Sequence, residues 1–383
     1  MPVCQRVKRI TPFLVMDVLE RAQQLEREGR RIIHLEIGEP DLDTPECVKA
    51  ACAKALAEGE THYTHSLGII ELREAVCEHY EKRYGVHIHP DQVLVTSGTS
   101  PAMLMLFSAL LKDGDKVALS DPAYACYPNV IQFAGAEPLR IPTPEEDGFQ
   151  FRASAIRDRM DPKTRAVVIN SPGNPTGTLL ASERMRRISD LGLHVISDEI
   201  YHGLVYEGRE RSMLEFRDDA FVLNGFSKLY AMTGFRLGYL IMPPRYTRPL
   251  QCMAQNFFIS ANTMAQRAGV AALREAGPDV TRMRSIYDER RLTLIRGLER
   301  IGLPPASRPT GAFYVMVNAS RLDKDSQRLA FDILNTAGVA LTPGVDFGPG
   351  GEGYLRLSYA NSIENIEEGL ERLGSYLEQR TDA

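Results

Sequence analysis

The sequence predicts an α/β fold: a buried, mainly parallel sheet covered by helices on both faces, followed by a smaller α+β unit. Three observations carry this. Seven apolar runs between residues 93 and 242 are near-continuous rather than alternating, as strands buried on both faces require. Helical stretches separate most of them, the alternation that builds a parallel sheet. Beyond about residue 243 the pattern changes to long helical periodicity and then to two further strands. At 383 residues the chain exceeds the size at which one core stops growing, so two domains are expected.

In chain order, residues 10–29 carry Phe13, Leu14, Val18, Leu19, Ala22 and Leu25 at helical spacing and end at Gly29. Residues 32–37 read as a strand. Gly38, Glu39, Pro40 and Asp41 follow as a loop in which backbone can approach a ligand closely. Thr44, Pro45 and Glu46 open a helix as cap, first-turn proline and complement to the dipole, and Gly59 ends it. The polar loop 62–68 precedes a helix over 71–84. Strand candidates are 93–97, 116–120, 137–141, 166–169, 193–197, 221–223 and 237–242, with an apolar helix over 102–111. A helical region spans 248–302, broken near Ser260 and at Gly277-Pro278, and strands follow at 313–317 and 354–358. There is no internal repeat or low-complexity tract.

Composition narrows the function. Hydrophobic content of 44% and charged content of 25% are ordinary for a globular enzyme. A net charge of −5 leaves no electrostatic footprint for nucleic acid. No run of 18 apolar residues and no leader pattern at Met1-Pro-Val-Cys-Gln-Arg6 occurs, so no membrane partner and a cytoplasmic location are expected. The six cysteines include no CxxC pair, which fits reduced thiols, and the eight histidines form no metal motif, so no metal is expected.

In open α/β sheets, functional loops sit at the carboxyl ends of the strands. Reading those ends in turn gives a list. Gly98, Thr99 and Ser100 lie where a strand turns into a helix, so free backbone N–H groups and small hydroxyls converge on the positive helix end: a phosphate site, or a plain cap. Tyr124 follows the next strand and offers an aromatic ring, for packing or for a ligand. Asn174 lies in a Pro- and Gly-rich turn whose first role is to turn, yet it presents an amide beside a buried strand. Asp198 comes directly after an apolar run, where a carboxylate is costly unless it meets a cation; Tyr201 is three residues on. Residues 224–236 hold Lys228 between Ser227 and Arg236. A lysine in a dry pocket can condense with an aldehyde as a Schiff base, and Ser227 with Arg236 could hold a phosphate; a surface turn is the alternative. Together these parts describe pyridoxal 5'-phosphate: Lys228 for the aldehyde, Asp198 for the ring nitrogen, Asn174 and Tyr201 for the phenolic oxygen, and Tyr124 for the ring face.

With these motifs assembled, the chain resembles a class I/II pyridoxal-phosphate-dependent aminotransferase of fold type I, the aspartate aminotransferase superfamily, over nearly its whole length. The matching stretches are 38–41, Tyr63, 98–102, 121–127, 174–177, 198–201, Ser227-Lys228 with Arg236, and 355–359. The resemblance implies a large domain with a seven-stranded sheet and a small domain built from both chain ends. The expected division is 1–43 joining the small domain, 44–280 as the large domain and 281–383 as the small one. It also implies a homodimer with shared active sites, in which Tyr63 reaches the phosphate of the other subunit's cofactor. Gly38, Asn174 and Arg356 would bind substrate, Arg356 taking its α-carboxylate. By spacing alone, Arg356 between Leu355 and Leu357 reads as the solvent face of an amphipathic ribbon.

The expected reaction is transamination between an L-amino acid and a 2-oxo acid, with Lys228, Asp198 and Tyr201 as catalytic groups. Competing readings are a C–S lyase of the same fold, a decarboxylating or acyl-transferring relative, and the aminotransferase-like domain of a transcription regulator. The last needs a DNA-binding domain, for which the start of the pattern within about 40 residues of Met1 leaves no room. On substrate, the resemblance implies that dicarboxylate-preferring members use a partner arginine in the region matching 251–262, which here holds no Arg or Lys. Phe13, Leu14 and Val15 would suit an apolar side chain; aromatic, branched, methionine and alanine donors all remain open.

Overall fold

The seven apolar runs between residues 93 and 242 become a single sheet. In the computed structural model, which describes residues 4–381, the strands are β1 (Ile33–His34), β2 (Val93–Thr96), β3 (Lys116–Asp121), β4 (Glu137–Pro142), β5 (Thr164–Asn170) and β6 (His194–Asp198). They continue as β7 (Phe221–Gly225), β8 (Gly238–Ile241), β9 (Tyr314–Asn318), β10 (Val339–Ala340), β11 (Thr342–Pro343) and β12 (Tyr354–Ser358). The start pattern at Met1 to Val3 and the final Asp382 and Ala383 of the 281–383 unit lie outside the described residues.

The large sheet runs β2-β8-β7-β6-β5-β3-β4. Only β8 is antiparallel to its neighbours, β2 and β7; the other pairs are parallel. Every residue of β2, β7 and β8 is buried, which is why those strands read as unbroken apolar runs. The register aligns Asn170 with Asp198 and Asp198 with Leu223, so the carboxyl ends of β5, β6 and β7 form one rim. Functional residues are expected on such a rim.

Near the other end of the chain, β11-β12-β9 form an antiparallel three-stranded sheet, and β1 pairs in parallel with β10. This second pairing ties the segment around residue 33 to residues 339 and 340. The helical region resolves into Pro244–Phe257, Thr263–Glu275 and Gly277–Arg300, broken where Ser260 and Gly277-Pro278 suggested. No helix among the described residues is long and apolar enough to cross a membrane.

Some local expectations fail for identifiable reasons. Thr44 does not cap its helix: Pro45 occupies the cap position, and the Thr44 hydroxyl donates instead to the carbonyl of Ala231 at 2.5 Å. The strand expected over 32–37 shrinks to β1, because beyond His34 the chain bonds to two segments in turn. Leu35 N–H donates to Ala340 O at 3.0 Å, while Leu35 O accepts from Ser358 N–H at 2.7 Å. The first long helix is Leu14–Arg27, and its cap is remote: Asp346 accepts from the N–H groups of Leu14 at 2.9 Å and Val15 at 3.3 Å. A capping residue more than 300 positions away leaves no local signal.

Candidate active site

Lys228 leaves the end of β7 three residues after Gly225 and turns under the loop that carries Gly38. Its amine donates to the Gly38 carbonyl at 2.6 Å. Burial draws its pKa down from the usual amine range to about 8. The Glu39 carboxylate opposes that shift, and the Arg356 and Arg236 guanidinium groups assist it. An amine so held is partly neutral near physiological pH, the state in which nitrogen acts as nucleophile or base.

Asp198 ends β6 almost wholly buried, at 4% exposure. Tyr127 donates its hydroxyl to Oδ2 at 2.6 Å and the Ile200 N–H donates to Oδ1 at 3.2 Å. No cation pairs with it among the described residues, and burial raises its pKa to about 6 against the help of those two donors. The Asn170 amide donates to the Asp198 carbonyl at 3.0 Å and its Oδ1 accepts from Asn174 N–H at 2.8 Å, so one side chain sets both loops.

Arg356 sits mid-strand in β12 and is 3% exposed, contrary to the reading from alternation. Both faces of this short sheet are covered, so alternation there does not separate inside from outside. Its guanidinium lies 4.4 Å from the Tyr314 ring centroid and 5.0 Å from that of Phe347. Nη1 donates to Asn174 Oδ1 at 3.0 Å, and Nη2 to Thr342 Oγ1 at 3.0 Å and to the Glu36 carbonyl. Nε is buried without a partner. A buried guanidinium with an idle donor and no carboxylate is a receptor for an anion.

Eight of the expected residues line one cavity of about 310 Å³: Gly38, Thr99, Tyr124 and Asn174, with Asp198, Tyr201, Lys228 and Arg356. The rest stand beside it or away from it. Gly98, with φ of +89°, precedes the helix Thr99–Leu110, whose start no side chain caps. A Cβ at Gly98 would fall 2.7 Å from Nη2 of Arg236, so glycine is what lets that guanidinium approach the helix end. Arg236 itself is exposed and in ion pair with no carboxylate among the described residues; its Nη1 donates to Thr233 O at 3.0 Å. Ser100 is in the first turn of the same helix, and Ser227 adjoins Lys228. Tyr63 is not at this cavity. It is 80% exposed, on a loop fastened by Thr263 to the His62 carbonyl at 2.7 Å, and near it Phe257, Phe258 and Ile259 are also exposed.

Sequence reasoning missed several groups. Tyr127 is named only as the end of the 121–127 stretch and given no role, although its ring meets that of Tyr124 edge-on at 5.3 Å from the first turn of the helix Cys126–Phe133. Tyr314 shares a 2.8 Å hydroxyl–hydroxyl hydrogen bond with Tyr201. The bareness of Gly38, expected to admit a ligand, serves Tyr314: a Cβ there would lie 2.3 Å from its hydroxyl. Of the three apolar residues expected near substrate, Phe13 and Val15 line the cavity and Leu14 does not, while Met16 does.

The sequence matches the family model for aminotransferase class I and II over residues 30–373. It is 41% identical over 377 residues to the (5-formylfuran-3-yl)methyl phosphate transaminase of Methanocaldococcus jannaschii, covering 97% of this chain and 99% of that protein. It is 38% identical to a valine–pyruvate aminotransferase of Mycobacterium tuberculosis, covering 96% and 97% of the two. Among solved structures it resembles a double mutant of the Thermus thermophilus aspartate aminotransferase, with a TM-score of 0.94, 38% identity and coverage of 98% and 99%.

Proposed function

This chain belongs to the class I and II aminotransferases, and from that premise we propose which of its residues carry the reaction. The enzyme depends on pyridoxal phosphate and moves an amino group between an amino acid and a 2-oxo acid. When bound, the cofactor supplies an aldehyde that takes up the amino group and a ring that accepts the electrons left by the departing α-proton. The donor set fits that group: a buried amine, a buried carboxylate without a cation, amide and phenol donors, and an uncapped helix end beside an unpaired arginine.

In this reading Asp198 keeps the ring nitrogen protonated, since a carboxylate held in so dry a place is stabilised most by a cation it can touch. Tyr127 and the Ile200 N–H fix its orientation. Tyr201 and Asn174 hold the phenolic oxygen, and Tyr124 covers the ring face. Gly98, Thr99, Ser100, Ser227 and Arg236 hold the phosphate, joined by the partner's Tyr63. Arg356 and Gly38, with Asn174, hold the substrate's α-carboxylate and so fix the direction of its Cα–H bond. Lys228 would hold the cofactor's aldehyde and would take the proton from the substrate's α-carbon. Its pKa near 8 suits a base that must also give the proton back.

The observation that carries this reading is the convergence of Lys228, Asp198 and the buried guanidinium of Arg356 on one cavity. A homodimer belongs to the same proposal, supported by the exposed Tyr63, Phe257, Phe258 and Ile259. So does the division into 1–43, 44–280 and 281–383, supported by the pairing of β1 with β10. A cytoplasmic location completes it. The test is a half-reaction screen with cofactor-loaded protein, following cofactor absorbance as single amino acids are added. Borohydride reduction of the same protein should fix the cofactor covalently on a peptide containing Lys228, and a label on any other lysine overturns the assignment.

A further inference from the structure

We propose that Tyr314 is a positioning residue that donates its hydroxyl to that of Tyr201, leaving the Tyr201 proton free for the cofactor's phenolic oxygen. This role rests on the aminotransferase reading above, and within it on Tyr201 holding that oxygen.

The two phenols come from different parts of the fold. Tyr201 lies three residues past the end of β6, and Tyr314 opens β9 of the small sheet. Their hydroxyls meet at 2.8 Å, and their rings stand edge-on with centroids 5.6 Å apart. Both side chains are buried, and both line the cavity of Lys228. Neither hydroxyl bonds any other group among the described residues. Burial holds each above the usual phenol pKa, so each keeps its proton. The pair therefore has two O–H protons and one hydrogen bond between them, which leaves one proton in need of an acceptor. Because both phenols line the cavity, that acceptor belongs there.

Tyr314 is the member placed to give its proton to the other. Its hydroxyl abuts Gly38, where a Cβ would come within 2.3 Å of it, and the Arg356 guanidinium lies 4.4 Å from its ring centroid. Arg356 pairs with Met316 across β12 and β9, so Tyr314, two residues along, is its diagonal neighbour on one face. Clamped between these groups, the Tyr314 oxygen stays beside Tyr201. The Arg356 cation favours loss of the Tyr314 proton, which makes this hydroxyl the better donor. A hydroxyl that accepts a hydrogen bond in turn donates more strongly, by about 10–30%. Tyr314 thus orders and strengthens the Tyr201 donor without touching the cofactor.

The test is a pH titration of the absorbance of cofactor-loaded protein, with no substrate present. A donor to the phenolic oxygen favours its anionic form, and so lowers the pH at which the bound chromophore loses its proton. Tyr201→Phe should raise that midpoint by about one to two pH units. Tyr314→Phe keeps the ring beside Arg356 and should raise it by roughly 0.3 unit. In the Y201F background, adding Y314F should leave the midpoint within about 0.1 unit, because the effect passes through Tyr201. The charged groups of the lining, Arg356, Lys228, Asp198 and Glu39, are present in all three variants. Acetate, the bare carboxylate, should bind Y314F with a Kd within about twofold of wild type, since a phenylalanine ring still covers Arg356. A midpoint that falls in Y314F overturns the proposal, because Tyr201 would then have been donating to Tyr314. An unmoved midpoint overturns it as well, and so does a shift that persists in the Y201F background. A larger loss of acetate affinity overturns it too, since Tyr314 would then act through Arg356. All of these leave the aminotransferase reading intact, whereas a protein that binds no pyridoxal phosphate defeats that reading itself.

Discussion

Arg356 donates from Nη1 to Oδ1 of Asn174 at 3.0 Å, joining two residues 182 positions apart. One belongs to the small sheet and the other to the loop after β5 of the large sheet, so the proposed carboxylate anchor forms only when both units are folded together. Tyr314 and Phe347 close its faces, and Thr342 and the Glu36 carbonyl take Nη2. Nε is the direction left over.

Arg356→Lys tests that geometry. A lysine keeps the charge but replaces a planar fork by a single ammonium, which cannot bond Asn174, Thr342 and a substrate carboxylate together. Loss of about two charge-assisted hydrogen bonds predicts a fall of ~10²–10³ in kcat/KM for the amino acid half-reaction, much of it in KM. A change of less than about fivefold would mean that another group holds the carboxylate.

Asp198 gives a pH prediction for the cofactor-free protein. Burial raises its pKa from 3.8 to about 6, so the folded state binds this proton more tightly than the unfolded state. Its stabilising contribution is therefore complete below pH 3.8 and is lost as pH rises through about 6. Asp198→Asn removes that loss. Without cofactor it should be more stable than wild type by about 3 kcal/mol at neutral pH, and no more stable near the bottom of the window. Urea unfolding at the two pH values measures this. A difference independent of pH would trace the gain to packing rather than to charge.

The amine of Lys228 should titrate early as well. With its pKa drawn down to about 8 by burial, it is largely neutral at a pH where exposed lysines are still protonated. In the cofactor-free protein its acylation rate, followed by peptide mass spectrometry, should reach half its plateau near pH 8. A midpoint at 10 or above would place the amine in water instead.

How far the sequence could go depends on the distance over which each signal acts. The parallel sheet was legible because strands buried on both faces leave runs such as 221–223 that no surface element tolerates. Asp198 and Lys228 were legible as charged residues at the ends of such runs. Arg356 was not legible from its own strand, since alternation identifies an exposed face only when one face is wet, and β12 is covered on both. The contact of Gly38 with Tyr314 and the capping of Leu14 by Asp346 join residues hundreds of positions apart. β10 and β11, two residues each, are too short to carry any period.

Tyr63 provides the test that joins fold, dimer and site. It is 80% exposed and does not line the cavity that Lys228 lines. Its proposed place is at the phosphate of the partner's cofactor. Mixing an inactive Tyr63→Ala protein with an inactive Lys228→Ala protein and refolding them together should then restore activity. In a heterodimer one site would carry both lesions, while the other would have wild-type Lys228 from one subunit and wild-type Tyr63 from the other. With random association about half the dimers are mixed and each has one intact site, so about a quarter of the wild-type activity is expected. If both residues served one site within a single chain, every site would carry a lesion and the mixture would stay inactive. Silence in a mixture proven by mass spectrometry to contain heterodimers would return Tyr63 to the surface of its own subunit.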